Sequence, residues 1–150
     1  MALITQAQIQ AGLKAGLDAV TGFNSAAQIE GDDLLDYSVE LLPYAMILTA
    51  QSYSLKPAMG RVVGTYTIPV ILFFEFVDWQ ETRNAVRNLE TAVIEYFHAN
   101  GAMWAANGLS GVMLTGIDAQ DIGAVYRTDE GQDSLPVYLT RTIDFQLELI

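Results

Sequence analysis

Cysteine is absent from this 150-residue chain, and basic residues are scarce: seven Lys and Arg and one His stand against 18 Asp and Glu. The first absence excludes disulfides, thiolate chemistry and Cys-ligated zinc, and leaves the compartment open. The second gives a formal net charge of −11 and a pI near 4.1. Ordinary binding to nucleic-acid phosphates needs a basic footprint, so that class is disfavoured. Passive proximity to DNA is not, because an acidic wall repels phosphate. No apolar run has the length of a membrane-spanning helix, and the longest is too rich in β-formers. The opening MALITQAQIQAGLKAGL lacks a basic leader and a sustained apolar core, so a soluble intracellular product without membrane contact is expected. The phosphate-cradling patterns G-x-x-x-x-G-K-[ST] and G-x-G-x-x-G and the nucleophile elbow G-x-S-x-G are missing as well.

What is present is apolar bulk. Hydrophobic residues make up 51% of the chain and charged residues 17%. That is enough for one domain over 1–150 with one core, and for apolar surface left to a partner. Thr5 and Gln8 have capping-box spacing, with Ile4 and Ile9 in the staple positions, and Ile9, Leu13, Leu17 and Val20 recur at helical spacing. These predict a helix over about 5–21. Residues 23–42 are acidic yet dotted with Leu, and fit either a short helix or an irregular cover.

Tyr44–Gln51 reads as a strand, Ser52–Gly60 as a loop, and Arg61–Val77 as a long second strand in an antiparallel hairpin with the first. On that strand Tyr66, Ile68, Val70, Leu72, Phe74 and Phe76 form one wholly apolar face; the other runs Thr65, Thr67, Pro69, Ile71, Phe73, Glu75. Pro69 cannot donate to a ladder, which predicts a sheet edge or bulge beside it. Asp78 and Glu81 then open a second helix that ends at Asn100-Gly101. Gly101–Gly111 reads as a loop whose Met103 and Trp104 tuck back onto the core. A short strand over 112–117 follows, then strands over 122–127 and 135–150 around an acidic tip. The last alternates cleanly except at Arg141. The expected architecture is α+β: a mostly antiparallel sheet of four to five strands with two main helices on one face, its longest strands being 61–77 and 135–149.

Chemistry is hard to place on this pattern. His98, the sole histidine, falls in the last turn of the second helix, where it suits the helix dipole better than catalysis. Asp118, Asp121, Asp129, Glu130 and Asp133 do not follow the calcium-loop pattern and read as solvated loop acids rather than a metal site. No enzyme activity, metal or cofactor is expected. Lys56 and Arg61 bracket the first hairpin loop, and Arg83 and Arg87 lie four apart on the second helix. They are either scattered solvated charges with local ion pairs, such as Arg87 with Glu90, or contacts to the acidic surface of a neighbouring copy.

The order of elements resembles a known family. A capped N-terminal helix, an acidic connector, YAMILTAQ, a polar loop, GTYTIPVILFFEF, DWQETRNAVRNLETAVIEYF and a closing LPVYLTRTIDFQLEL together look like the tail terminator, or tail-to-head joining, proteins of long-tailed bacteriophages. The resemblance spans nearly the whole chain and has no catalytic signature within it. It implies a non-enzymatic subunit, made in the host cytoplasm, that forms a six-membered ring at the head–tail junction of the virion. The ring would cap the tail tube protein, end its polymerisation, and meet a head-completion or connector protein. Genomic DNA would pass its lumen without specific binding.

On that footing Lys56, Arg61, Pro69, Ile71, Phe73, Arg83 and Arg87 are candidates for the subunit interface. Asp118, Asp121, Asp129, Glu130 and Asp133 are candidates for an acidic loop facing the lumen or a partner. Two alternatives stay open: another ring-forming virion part (head-completion, neck or tube subunit), and a cellular α+β dimer that binds a small ligand in a deep apolar pocket.

Overall fold

The computed structural model describes residues 4–30, 42–126 and 135–150, and its first element follows from a cap. The Thr5 hydroxyl accepts the Gln8 N–H at 3.2 Å while the Gln8 side chain accepts the Thr5 N–H at 2.7 Å. Two orphan donors are thereby satisfied, and helix α1 runs Gln6–Ala19. Two short strands follow: β1 (Gln28–Ile29), which lies in the stretch left ambiguous by sequence, and β2 (Tyr44–Ile47) parallel to it. Residues 31–41 of that stretch lie outside the described residues.

The chain continues as β3 (Ser52–Ala58), β4 (Arg61–Glu75), α2 (Trp79–Ala99), the single-turn α3 (Met103–Ala106), β5 (Val112–Val125) and β6 (Tyr138–Leu149). The sheet order is β1-β2-β4-β6-β5, with β3 paired to the first half of β4. All pairings but β1–β2 are antiparallel. The fold is α+β, as expected, with helices packed on a mostly antiparallel sheet.

Three expectations are corrected. The described sheet has six strands rather than four or five, because Gln28–Ile29 adds β1 and Ser52–Gly60 is not a loop. It forms β3 and a two-residue turn at Met59-Gly60. Residues 112–117 and 122–125 are one 14-residue strand, kept continuous by irregularities between Leu114 and Gly116 and between Ala119 and Ile122. The two longest strands are therefore β4, with 15 residues, and β5; β6 has 12.

Pro69 sits at a bulge and not at an edge. It lies in the central strand, opposite Asp144 of β6. On its other side Ile47 pairs with Val70 and Ser52 with Thr67, so four residues, 48–51, face the two residues 68–69. The Pro69 carbonyl accepts the Leu48 N–H at 2.9 Å. Since both backbone polar groups of a strand residue point to the same neighbour, the missing N–H faces the bulge. The extra residues between β2 and β3 absorb what proline cannot supply.

The core lies between one sheet face and the helices. Ile9, Leu13 and Leu17 of α1 and Val86, Leu89, Val93 and Phe97 of α2 meet Ile68, Val70, Leu72, Phe145 and Leu147. Each fully buried aliphatic side chain contributes about 1.5–3 kcal/mol. The Asp78 carboxylate accepts the Glu81 N–H at 2.7 Å and starts α2 at the expected residue. Met103 and Trp104 are buried against this core. Arg141 interrupts the alternation of β6 because it stands on the helix side, where its Nε meets Glu90 of α2 at 2.9 Å. Glu90 is thus occupied by a cross-element partner rather than by Arg87.

Gly16 lets α1 approach α2 closely. A Cβ there would stand 2.6 Å from Cζ of Phe97. That ring has little room to retreat, with Phe145 at 4.9 Å and Trp104 at 6.3 Å between centroids. Alanine normally gains about 1 kcal/mol over glycine within a helix. Here overpacking, which costs about 1–3 kcal/mol, outweighs it. Gly16→Ala is expected to lower the urea midpoint; a raised midpoint would show that the contact is slack.

Glu30 ties the segment after α1 to the sheet by accepting the Thr49 N–H at 2.7 Å and the Thr49 hydroxyl at 2.8 Å. The backbone bond and then the hydroxyl bond hold its carboxyl below the ordinary value, against a small opposing effect of burial. A depressed folded-state pKa adds stability above the unfolded value, near 4.5, that is lost as pH falls through the folded value. At so exposed a site this is worth at most about 1 kcal/mol. Glu30→Gln should therefore be slightly less stable than wild type at neutral pH, with the difference shrinking as the pH falls through the depressed folded value. Urea titrations at neutral pH and in acid give this comparison, and a gap that does not shrink in acid would contradict it.

Candidate assembly surfaces

Among the described residues no helix covers the second face of the sheet. The pairing register places Thr65, Thr67, Pro69, Ile71, Phe73 and Glu75 of β4 there, beside Thr142, Asp144, Gln146 and Glu148 of β6. One corner is apolar. Leu42, Tyr44 and Phe73 are buried together, with Met46, Ile71 and Tyr138 half-buried around them. Phe73 is only 8% exposed, and its ring stacks on Tyr44 at 4.9 Å and 14°. Phe73 and Pro69, both candidates for the subunit interface, are thus buried in their own chain, and Ile71 is half-covered. The sequence shows the hairpin but not its register, and the register puts Tyr44 directly across from Phe73.

The rest of this face is polar and acidic. Asp118 of β5 lies directly opposite Asp144 of β6. Facing like charges are unfavourable, and each carboxylate here has an amide beside it. Gln146 Nε2 donates to Asp118 at 2.6 Å and Gln120 Nε2 to Asp144 at 2.8 Å. Asp118 and Asp121 are exposed positions in β5 and not members of a loop. Asp129, Glu130 and Asp133 lie outside the described residues.

One end of the sheet carries an arm. The last β4–β6 pair is Gly64 with Leu149, so the hairpin from Leu55 to Val63 runs on beyond β6 as a two-stranded ribbon. It turns at Met59 and Gly60 with φ of 51° and 81°, the doubly positive geometry whose twist matches the strands. The ribbon leaves the sheet where the backbones nearly touch: a Cβ on Gly64 would stand 2.0 Å from the Ser54 carbonyl oxygen. Tyr53 stacks on Tyr66 at 5.7 Å at its base. Burial, and then the Tyr53 phenol, push the Tyr66 hydroxyl above its ordinary pKa. Lys56 is exposed on the arm, and Arg61 begins β4 opposite Ala58. Sequence reading missed the strand because Pro57 and two serines mask the alternation, and because Met-Gly is not among the usual turn pairs.

The opposite end is aromatic. Phe76 meets Trp79 edge-on at 5.0 Å, and the Arg83 guanidinium lies 5.3 Å from the Trp79 ring centroid. Arg83 is thus held by its own helix, while Arg87 and His98 are exposed. Beyond Glu75 and Val77 a hollow of about 450 Å³ opens between the residues after α1, the end of β4 and residues 85–92 of α2. Its floor includes Leu42, Phe74 and Leu89, and its rim Asn24, Glu75 and Asn88. Among the described residues no group of three or more His, Asp or Glu could hold a metal ion, and no helix is long and apolar enough to cross a membrane. The chain matches no protein-family model and no curated protein.

Proposed function

We propose that the protein is a structural, non-enzymatic virion subunit that closes with its own copies into a six-membered ring at the head–tail junction of a long-tailed phage. The ring caps the tail tube, ends its growth and meets the head connector. The observation that carries this reading is the helix-free sheet face. Among the described residues helices lie on one side only, which leaves a broad second surface, and Glu75, Asp118, Asp144 and Glu148 lie on it. Within the body of the sheet no Lys or Arg joins them among the described residues. Turned inward, such a wall repels phosphate and lets DNA slide. The order of elements and the net charge of −11 support the same reading.

A second reading, a cellular dimer that binds a small ligand, is favoured by the hollow, where apolar floor residues meet a few polar rim groups. The two separate on assembly. Electron microscopy of the purified chain, alone and mixed with tail tubes, should show closed rings of one copy number and tubes that stop at a ring. Open-ended polymers would point to a tube subunit, and dimers indifferent to tubes would overturn the virion reading.

A further inference from the structure

We infer that the β3–β4 arm of one copy docks, tip first, in the hollow between α1, β4 and α2 of the next copy. This rests on the self-association proposed above but not on the tail itself. The arm and the hollow lie at opposite ends of the same strand, β4, whose 15 residues span roughly 45 Å. One copy can therefore offer its arm while receiving another's.

The arm has the form of a ligand. Its tip is Met59, 104% exposed, with Val62 also exposed beside it. A positive φ of 51° is unfavourable for a residue with a Cβ, and Gly, Asn or Asp would meet the turn more cheaply. The turn instead holds a flexible, polarizable apolar side chain in water, fully exposed among the described residues. Met side chains of this kind fill irregular apolar surfaces well.

The hollow has the complementary chemistry. Its floor of Leu42, Phe74 and Leu89 is apolar, and exposed Glu75 borders it at the end of β4, where the hollow meets the helix-free sheet face. Lys56 stands three residues from Met59. In a chain of net charge −11, cations are few, and a Lys56–Glu75 contact would offset repulsion between copies where they meet. Backbone pairing between sheet edges is the less favourable way to join copies. The outer edge of β3 carries Lys56 and Pro57, and β5 carries two bulges with Asp118 and Asp121. Lysine, proline, bulges and edge charges all discourage strand addition. The contact is heterologous, so its rotation decides whether it closes into a ring.

The lack of native cysteine allows a direct test. Met59→Cys and Asn88→Cys chains, each with one thiol, are mixed under mild oxidation. Docking brings the two thiols together, and the mixed disulfide dimer should form about tenfold faster than the dimer of either chain alone. Lys56→Glu in the Met59→Cys chain should slow it, and Glu75→Lys in the partner should restore it. If wild type sediments as an oligomer but the mixed dimer has no advantage, the docking is wrong while self-association stands. A monomeric wild type at all concentrations overturns both. A small molecule retained in the hollow, seen as added mass in native mass spectrometry, overturns the docking as well.

Discussion

A strand that is wholly apolar on one face, partly apolar on the other and contains a proline needs neighbours on both edges and cover on both sides, and most of this fold answers that need. β4 meets β6 along twelve consecutive register positions, while β2 and β3 share its other edge. The division between β2 and β3 falls at Pro69, where the ladder cannot continue. Helices α1 and α2 cover Ile68, Val70, Leu72 and Phe74. Tyr44 and Leu42 cover Phe73 from the opposite side. The second cluster is small and separate from the main core, so the two faces of β4 are buried by different means: helices on one, a short stretch of neighbouring strand on the other.

The elements that could be read from sequence are those whose signal is local or periodic. Thr5 with Gln8, and Asp78 with Glu81, mark helix starts by bonds formed within one turn. The alternation of β6 reports its half-buried setting directly. What could not be read depends on partners distant in the chain. β3 buries little of its surface, so no apolar period announces it, and its existence is decided by pairing with β4. β5 hides its continuity because its two irregularities shift the inside–outside period at Gly116 and near Asp121. Arg141 looked like an exception to the pattern, and becomes regular only when Glu90, 51 residues away, is placed above it. The candidate surfaces divide in the same way: Lys56 was visible as an exposed charge, whereas the hollow exists only once α1, β4 and α2 are brought together.

Charge follows a similar logic. With 18 acids against seven Lys and Arg, most carboxylates have no cation to pair with. Lys14 is used within the chain, bonding Asp18 at 3.0 Å and the Ala27 carbonyl at 2.8 Å. Arg141 is used against Glu90, and Arg83 lies against Trp79. Across the polar sheet face, glutamine amides do the work that cations do elsewhere. Each donates to one oxygen of Asp118 or Asp144 and leaves the charge intact, so the face keeps a negative potential that ion pairs would have removed. A surface that only needed to be soluble could equally well have mixed both signs.

The same scarcity bears on how copies can meet. Large, flat, acidic faces repel one another, and the edges of the sheet carry features that resist strand addition. Attraction is left to small places where apolar atoms are exposed and a cation is near, and the arm is the clearest of these. A contact made through a narrow projection buries little area, so its free energy rests on a few well-fitted side chains rather than on extent. Several such contacts closing on themselves are stronger together than apart, because the last one forms within an assembly already held in place. Weak single contacts and a stable closed ring are therefore compatible. An acidic subunit with one projecting arm and one receiving hollow can stay dispersed when dilute and still assemble sharply once enough copies are present.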